Sequence, residues 1–233
     1  CDYTSASCNV VMGYYAGNDI SSGAANVAIG QCAGCTITSG SNNIALGQKA
    51  MGTGAVTGDG NITMGCKAGN LVTSGDNNLL LGTCAGGCVT TGDNNVFLGS
   101  FAGHYGTVTG SNNFASGYLS LKCLTSGYSN IAIGVYAGCL LTTGDSNILI
   151  GGLAGRQITG KRNIFMGTYT GCDATTGCFN IAMGCNVQLP IVDGSCQLAF
   201  GVASNNWIVG NASWNVGIGT TNPDLAVGVG NTA

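Results

Sequence analysis

Charged side chains are scarce in this chain of 233 residues. Lysine and arginine number six, acidic residues number nine without a single glutamate, and the net charge is −3. Nucleic-acid binding needs clustered lysine and arginine to neutralise phosphates, so this composition argues against it. The chain has one histidine, His104, and no carboxylate pair that repeats or converges, which argues against acid–base catalysis. We therefore predict no catalytic residues and no cofactor.

Proline is also nearly absent, with two residues, whereas glycine fills 42 positions. That glycine frequency, together with the absence of a 3.6-residue periodicity, excludes a helical protein. Disordered chains combine low hydrophobicity with high charge, but this chain is 45% hydrophobic and 6% charged. No apolar run is long enough for a transmembrane helix, so we expect no membrane insertion. The chain must instead bury its apolar residues in a β-rich core.

What the sequence does contain is one phrase, repeated along nearly its whole length. GDNNVFLGSFAG occupies residues 92–103, and close variants begin at Gly40, Gly75 and Gly144. The glycine that closes each apolar run recurs every 16 to 18 residues through twelve units. Four residues earlier stands an asparagine, replaced in the last unit by Gln197. Such regularity predicts a repeat architecture in which each unit forms one turn.

The three residues between asparagine and glycine predict a β-strand. The first and third are large and apolar, as in Ile44 and Leu46, and in an extended chain they share one face. Seventeen residues span roughly 56 Å, enough for a flattened turn with two short strands and two corners. The predicted fold class is therefore all-β, a parallel β-solenoid (β-roll or β-helix) of about twelve rungs with a 17-residue repeat. The handedness of the solenoid stays open.

The recurring asparagines are expected to form a hydrogen-bonded ladder along the axis, as stacked amides do. The predicted ladder comprises Asn26, Asn43, Asn61, Asn78, Asn95, Asn113, Asn130, Asn147, Asn163 and Asn180. Asn61 also begins a glycosylation sequon, but an inward side chain should resist a glycan. Asn211, in Asn-Ala-Ser near the C-terminus, is the candidate glycosylation site.

The middle strand position is apolar as well, for example Ala45, Leu80 and Phe97. One face of each strand is enough to fill a solenoid, so we assign the middle column to the outer face and expect copies of the chain to cover it. The alternative is a wide solenoid with the middle column packed inside. The first arrangement predicts self-association.

Three phrases carry a family resemblance: NVAIGQCAG at Asn26, NIALGQKAM at Asn43 and NIAIGVYAG at Asn130. They resemble the head repeats of trimeric autotransporter adhesins and the repeats of trimeric phage and virus tail fibres, although the period here is longer than in the adhesin heads. NVGIGTTNP, residues 215–223, is similar to the segment that often follows such repeats in viral fibres. The resemblance implies a homotrimer of parallel β-rolls.

The same resemblance implies an extracellular, structural fibre protein used for attachment to a host-surface glycan or receptor. Its location would be a virion appendage or a cell-surface fibre, and viral or cellular origin stays open. Outward corner positions vary between repeats and could recognise such a partner, because aromatic and arginine side chains suit these contacts. The candidate recognition residues are Tyr105, Tyr128, Arg156, Lys161 and Arg162.

The repeat becomes irregular near the C-terminus. Residues 1–201 are predicted to form the repetitive body, and residues 202–233 a tapering neck or cap that leads into a missing C-terminal region. Both tryptophans, Trp207 and Trp214, lie in this second part. We expect them to seal the open end of the apolar core.

Two other columns suggest alternative functions. Threonine recurs beside one corner, and such a column suggests the alternative function of an ice-binding solenoid. Against this function, the column is single, and threonine at a corner supports turns by local hydrogen bonds. Its members are Thr38, Thr57, Thr73, Thr90, Thr109, Thr125, Thr142, Thr159 and Thr175. Aspartate recurs at another corner, as Asp59, Asp76, Asp93 and Asp145, where turn chemistry is favoured over calcium binding. We predict no metal site, and a polysaccharide-degrading fibre stays an alternative because solenoids also support catalysis.

Thirteen cysteines occupy slots of the repeat, where a thiol serves as a small hydrophobe. Cys32 and Cys35 form the only Cys-x-x-Cys, in a context unlike that of an oxidoreductase or zinc site. The disulfide state of the cysteines stays open.

Overall fold

The computed structural model describes residues 7–203, 205–213 and 215–219. In these residues all regular structure is β, with fourteen strands in one sheet that follow one another in chain order. No helix among them is long and apolar enough to cross a membrane. The strands are β1 Val10–Met12, β2 Val27–Ile29, β3 Ile44–Leu46, β4 Ile62–Met64, β5 Leu79–Leu81, β6 Val96–Leu98, β7 Phe114–Ser116, β8 Ile131–Ile133, β9 Ile148–Ile150, β10 Ile164–Met166, β11 Ile181–Met183, β12 Leu198–Val202, β13 Asn205–Gly210 and β14 Val216–Ile218.

Strands β1 to β12 pair in parallel, each with the equivalent residues of the next repeat. Val10 lies opposite Val27, and Leu79 lies opposite Val96, one repeat further along the chain. Twelve parallel strands separated by eleven turns form a β-solenoid with a repeat of about 17 residues. The predicted fold class is confirmed.

Each turn contains one strand, not the two that the path length suggested. The far side of the solenoid contributes only isolated parallel bridges, Ile37 to Val56 and Val89 to Val108. Around Val89, the turn that follows the strand runs to the preceding residue and the chain bends again at the next two residues, so only Val89 is in position to pair.

One repeat shows the bends that have positive φ. Gly82, Cys84, Gly86 and Asn94 have φ values of 128°, 56°, 55° and 56°. The first position requires glycine, because a Cβ there would meet the carbonyl group of the next closing glycine. Side chains at the other positions cost about 1–2 kcal/mol each in this conformation. Backbone hydrogen bonds to the preceding turn offset that cost, such as Cys84 N to Cys66 O at 2.9 Å.

The middle residue of each strand points into the solenoid, so the orientation expected from the sequence was wrong. Ala28, Leu80 and Phe97 are fully buried, whereas their two neighbours in each strand are only half-buried or exposed. The interior is narrow because Ala85 and Gly86 line it opposite the strand. It has room for one strand side chain per turn and not for the flanking pair.

Side-chain size at two positions compensates from turn to turn in this narrow core: the centre of the strand, and the position four residues after the closing glycine. Phe97 lies against Gly103, where a Cβ would overlap the phenyl ring. In the next turn the strand centre is Ala115, and Leu121 occupies the place of that glycine, fully buried with φ 46°. Close packing therefore constrains the two positions jointly.

The parallel stack ends at β12, where the chain reverses into the antiparallel strands β13 and β14. Val209 of β13 is buried, but Trp207 is 61% exposed. Trp207 therefore does not seal the core as expected: it is skipped where the pairing of β12 with β13 shifts register between Phe200 and Gly201, so it does not follow the alternation of the strand. Trp214 lies outside the described residues.

Candidate functional site

The ten predicted asparagines form one buried column, and Asn95 shows the bonding of an interior rung. Its backbone N–H donates to Asn78 Oδ1 at 2.9 Å, and its Nδ2 donates to Asn78 Oδ1 at 3.1 Å and to the Gly110 carbonyl at 3.0 Å. Its own Oδ1 accepts the backbone N–H and the Nδ2 of Asn113, both at 3.0 Å. Every polar atom of this amide is paired, so the column stabilises the stack and presents nothing to a ligand.

Gln197 ends the ladder with a longer side chain. Its N–H donates to Asn180 Oδ1 at 2.9 Å, its Nε2 donates to the Ile191 carbonyl at 2.7 Å, and its Oε1 accepts the Ile191 N–H at 2.7 Å. The extra methylene lets the amide reach back into its own turn, because the next strand runs antiparallel and offers no equivalent carbonyl.

The corner aspartates also bond along the axis. Asp76 Oδ1 accepts the backbone N–H of Asp59 at 2.7 Å, and Asp93 Oδ1 accepts that of Asp76 at 2.9 Å. Within the described ranges no group of three or more histidine, cysteine or acidic side chains could hold a metal ion. These carboxylates support the turns of the preceding rung.

Threonine hydroxyls behave in the same way. Thr73 Oγ1 donates to the Thr90 carbonyl at 3.0 Å, and Thr125 Oγ1 donates to the Thr142 carbonyl at 3.1 Å. A hydroxyl group that donates its hydrogen to a backbone carbonyl along the axis cannot donate that hydrogen to water. These members of the column therefore do not present their donors outward, as an ice-binding surface would require.

The five candidate recognition residues fall into two groups. Tyr128, Lys161 and Arg162 lie at the asparagine corner, beside buried Asp145. Lys161 Nζ is 2.7 Å from Asp145 Oδ2, and this carboxylate raises the pKa of Lys161 above its usual value. The Arg162 guanidinium stacks over Phe179 at 5.2 Å from the ring centroid. Both cations at this corner already have partners within the chain.

Tyr105 and Arg156 lie at the other corner, in the turns that follow β6 and β9. Tyr105 belongs to an aromatic cluster that spans three turns. Its members are Phe101, His104, Tyr105, Tyr118 and Tyr136. The Phe101 and Tyr105 rings stack with centroids 6.4 Å apart, and Tyr118 packs edge-on against Phe101 at 6.2 Å and against Tyr136 at 5.7 Å. The geometry fixes the orientation of several partly exposed rings.

Lys122 bridges this cluster to a neighbouring hollow. Its Nζ lies 5.9 Å from the ring centroids of both Tyr105 and Tyr136, within range of a cation–π interaction. The hollow has a volume of about 400 Å³. It is lined by Lys122, Tyr136, Cys139, Leu140, Leu153 and Arg156. The hollow therefore combines apolar side chains, an aromatic ring and two cations.

Sequence reasoning found two residues of this surface and missed the rest. It did not single out Lys122, Tyr118 and Tyr136, because the residues that they contact lie one repeat away in the sequence. The signal was present in the register: His104, Lys122 and Arg156 each stand five residues after a closing glycine, and Tyr118 and Tyr136 stand one and two residues after the closing glycines of adjacent turns. Residues separated by one period become stacked neighbours once the solenoid forms.

The twelve described cysteines are all free thiols. Burial raises the pKa of Cys35, next to Cys32, and likewise that of Cys139 in the hollow. A raised pKa disfavours the thiolate, which is the reactive form. Burial, together with Cys32 and Asp19, therefore works against a thiolate at Cys35.

Asn211 lies in the turn between β13 and β14. Its Oδ1 accepts the N–H groups of Ser213 at 3.0 Å and of Asn215 at 3.1 Å. The side chain also lines an apolar cavity of about 580 Å³ between this hairpin and the last turns, together with Phe179 and Leu198. The glycosylation of Asn211 stays a prediction.

Comparison of the chain with protein-family models, with curated proteins and with solved structures returned no match in any of the three. The likeness to adhesin heads and viral fibres therefore depends on the repeat phrases alone, and the function has to be argued from the surfaces described above.

Proposed function

We propose that the chain is the non-catalytic body of an extracellular fibre, a homotrimer that extends from a virion or cell surface and attaches to a host-surface glycan or receptor. The support is mechanical. The stack of twelve strands is about 53 Å long at ~4.8 Å per strand. Amide, threonine and aspartate columns add hydrogen bonds along its axis. A stack cross-linked in this way resists extension and bending.

The observation that carries the trimer is the outer face of the strands. The flanking residues of β1 to β11 form two parallel columns along the body that are apolar except at Ser116, with Met12 at 63% and Met64 at 43% exposure. A stripe of this length and ~10 Å width covers roughly 500 Å², near the upper end for a single apolar patch on a soluble monomer. Burial against identical chains removes it from water along its full length.

Attachment is favoured over catalysis by the placement of the ionisable groups. The corner carboxylates accept backbone N–H groups, and the ion pair of Asp145 with Lys161 is the only one among the residues described. Hydrolysis of a glycosidic bond needs two carboxyl groups facing one substrate. Ice binding is a poorer explanation because the threonine hydroxyls donate to backbone carbonyls.

Native mass spectrometry at micromolar concentration tests the assembly, with three chains per particle as the expected result. Ile131→Lys and Ile133→Lys place charges on the outer strand face and should dissociate the particle. Thr143→Lys, at an exposed position in the following turn, is the matched control and should leave it intact. A stable monomer of the unaltered chain, or a trimer that tolerates both isoleucine variants, would contradict the proposed interface.

A further inference from the structure

We propose that the aromatic and basic surface of the turns after β6 to β9 binds a sugar residue that carries a carboxylate, as part of an acidic polysaccharide or glycan. This inference depends on the proposed attachment function and names its ligand class. The surface comprises the aromatic cluster of Phe101, His104, Tyr105, Tyr118 and Tyr136, and the hollow that contains Lys122 and Arg156.

The charges of the surface select an anion. Lys122 and Arg156 line the same hollow, and no carboxylate of the described residues lies within ion-pairing distance of either cation. Lys161, by contrast, is paired with Asp145. An anionic ligand in this hollow, which Leu140 and Leu153 also line, is attracted by two positive charges that no acidic side chain neutralises. The planar guanidinium of arginine can bind a carboxylate through two parallel hydrogen bonds.

The rings of the surface select a saccharide among anions. A pyranose ring has an apolar face of C–H groups and a rim of hydroxyls, so it can lie on an aromatic ring and hydrogen-bond at its edge. Tyr105 and Tyr118 are 63% and 45% exposed, and their hydroxyl groups give each ring a polar edge. Contacts with Phe101 hold both rings, so binding would order few side chains.

The spacing of the turns suits a chain of sugars better than a single small anion. Lys122 and Arg156 are two turns apart, or about 10 Å along the axis. Tyr105 and Tyr136 lie on either side of Lys122, each with its ring centroid 5.9 Å from the ammonium group. A ligand that contacts both cations and the rings has to extend along the solenoid. An oligosaccharide with repeated carboxylates meets this requirement.

The test is isothermal titration of the assembled protein with a galacturonic acid hexasaccharide and, separately, an oligomer of sialic acid. The neutral probe is the carboxyl-reduced form of the hexasaccharide. We expect at least one acidic probe to bind at least about tenfold more tightly than the neutral one, because only the acidic probe can accept charge-assisted hydrogen bonds from Arg156 and Lys122. Added salt should weaken the binding.

Variants separate the two contributions. Arg156→Gln and Lys122→Gln should each weaken the acidic probe by about tenfold and leave the neutral probe unchanged. Tyr105→Ala should weaken both probes. Lys161→Gln removes a cation at the opposite corner and is the control that should change neither. Circular dichroism of each variant establishes that the solenoid is intact.

The inference is overturned if neither acidic probe binds the folded assembly, or if the double variant Lys122→Gln/Arg156→Gln binds as tightly as the unaltered chain. A glycan array distinguishes this failure from that of the proposed function. Binding to neutral glycans alone would leave attachment standing and eliminate the acidic site. An assembled particle that binds no glycan, and no protein on cultured cells, would contradict both.

Discussion

The substitution Asn95→Asp should test the amide ladder sharply, because it changes one atom of a fully buried side chain. The native Nδ2 donates to Asn78 Oδ1 at 3.1 Å and to the Gly110 carbonyl at 3.0 Å. A carboxylate oxygen in this place donates to neither. The Gly110 carbonyl loses its buried donor, and three oxygen acceptors come to face one another.

The magnitude follows from two contributions. A buried polar group left without its partner costs about 1–3 kcal/mol. The carboxyl of the aspartate is also deprived of water and faces two acceptors, so its pKa rises above the ordinary value of about 3.9. A rise of three pKa units corresponds to about 4 kcal/mol at neutral pH. This second loss is absent below the unfolded-state pKa and grows as the pH rises toward the folded-state pKa.

Urea unfolding followed by far-ultraviolet circular dichroism, at one protein concentration and at pH 4 and pH 7.5, measures both contributions. Asn94→Asp is the matched control, because Asn94 is the exposed preceding residue and aspartate tolerates its φ of 56°. The control should change the free energy of unfolding by no more than about 0.5 kcal/mol. Asn95→Asp should lower it at both pH values, and more at pH 7.5.

Turns of a solenoid contact only their neighbours, so the loss could be confined to the turns around Asn95. Hydrogen exchange of the amides near Asn78 and Asn113 detects such local opening. Equal urea midpoints and equal exchange for Asn95→Asp and Asn94→Asp would refute the ladder argument, as would a destabilisation by Asn95→Asp that does not change with pH.

Three further predictions follow from packing and burial. Phe97→Ala should cost about 3–5 kcal/mol by leaving a cavity, and the double variant Phe97→Ala/Gly103→Leu, which copies the arrangement of the next turn, should recover part of that loss in urea unfolding. Iodoacetamide at pH 8 should modify Cys139 more slowly than exposed Cys185, since burial raises the pKa of the Cys139 thiol; equal rates by peptide mass spectrometry would contradict this. Burial lowers the pKa of His104 below 6.5, so the chain should lose stability as the pH falls from 7 to 5, and His104→Gln should flatten that part of the profile.

The repeat alone was enough to predict the solenoid, because a fixed period constrains every turn at once. The asparagine and closing-glycine columns located the strand and the bends, and the pairing of Leu79 with Val96 follows directly from that register. The single strand per turn was harder to foresee. Residues such as Lys49 and Tyr136 hold positive φ, although their side chains give no sign of it, because the hydrogen bonds that stabilise the bend come from the preceding turn.

The direction of the strand faces could not be read from alternation. Alternation shows that Leu79 and Leu81 share a face opposite Leu80, but all three are leucine, so hydrophobicity does not choose between the faces. The choice depends on interior volume, which is set by Ala85 and Gly86 on the other side of the turn. A sequence argument would need the cross-section of the turn before it could place Leu80 inside. The proposed trimer interface accordingly uses the flanking pair instead of the middle column.

The hydrogen bonds of the recurring polar columns also limit where a ligand can be recognised. Asparagine amides, corner carboxylates and several threonine hydroxyls bond to the next or the preceding turn, so the recurring polar residues are committed to the stack. We therefore expect recognition to involve residues that differ between repeats, such as the proposed aromatic and basic surface around Lys122. Replacing Lys122 leaves the ladder amides and their partners in place. Its effect on ligand affinity should therefore be independent of any change in the free energy of unfolding. Variants at Asn95 and at Lys122 should accordingly affect different measurements: unfolding for the first, and saccharide affinity for the second.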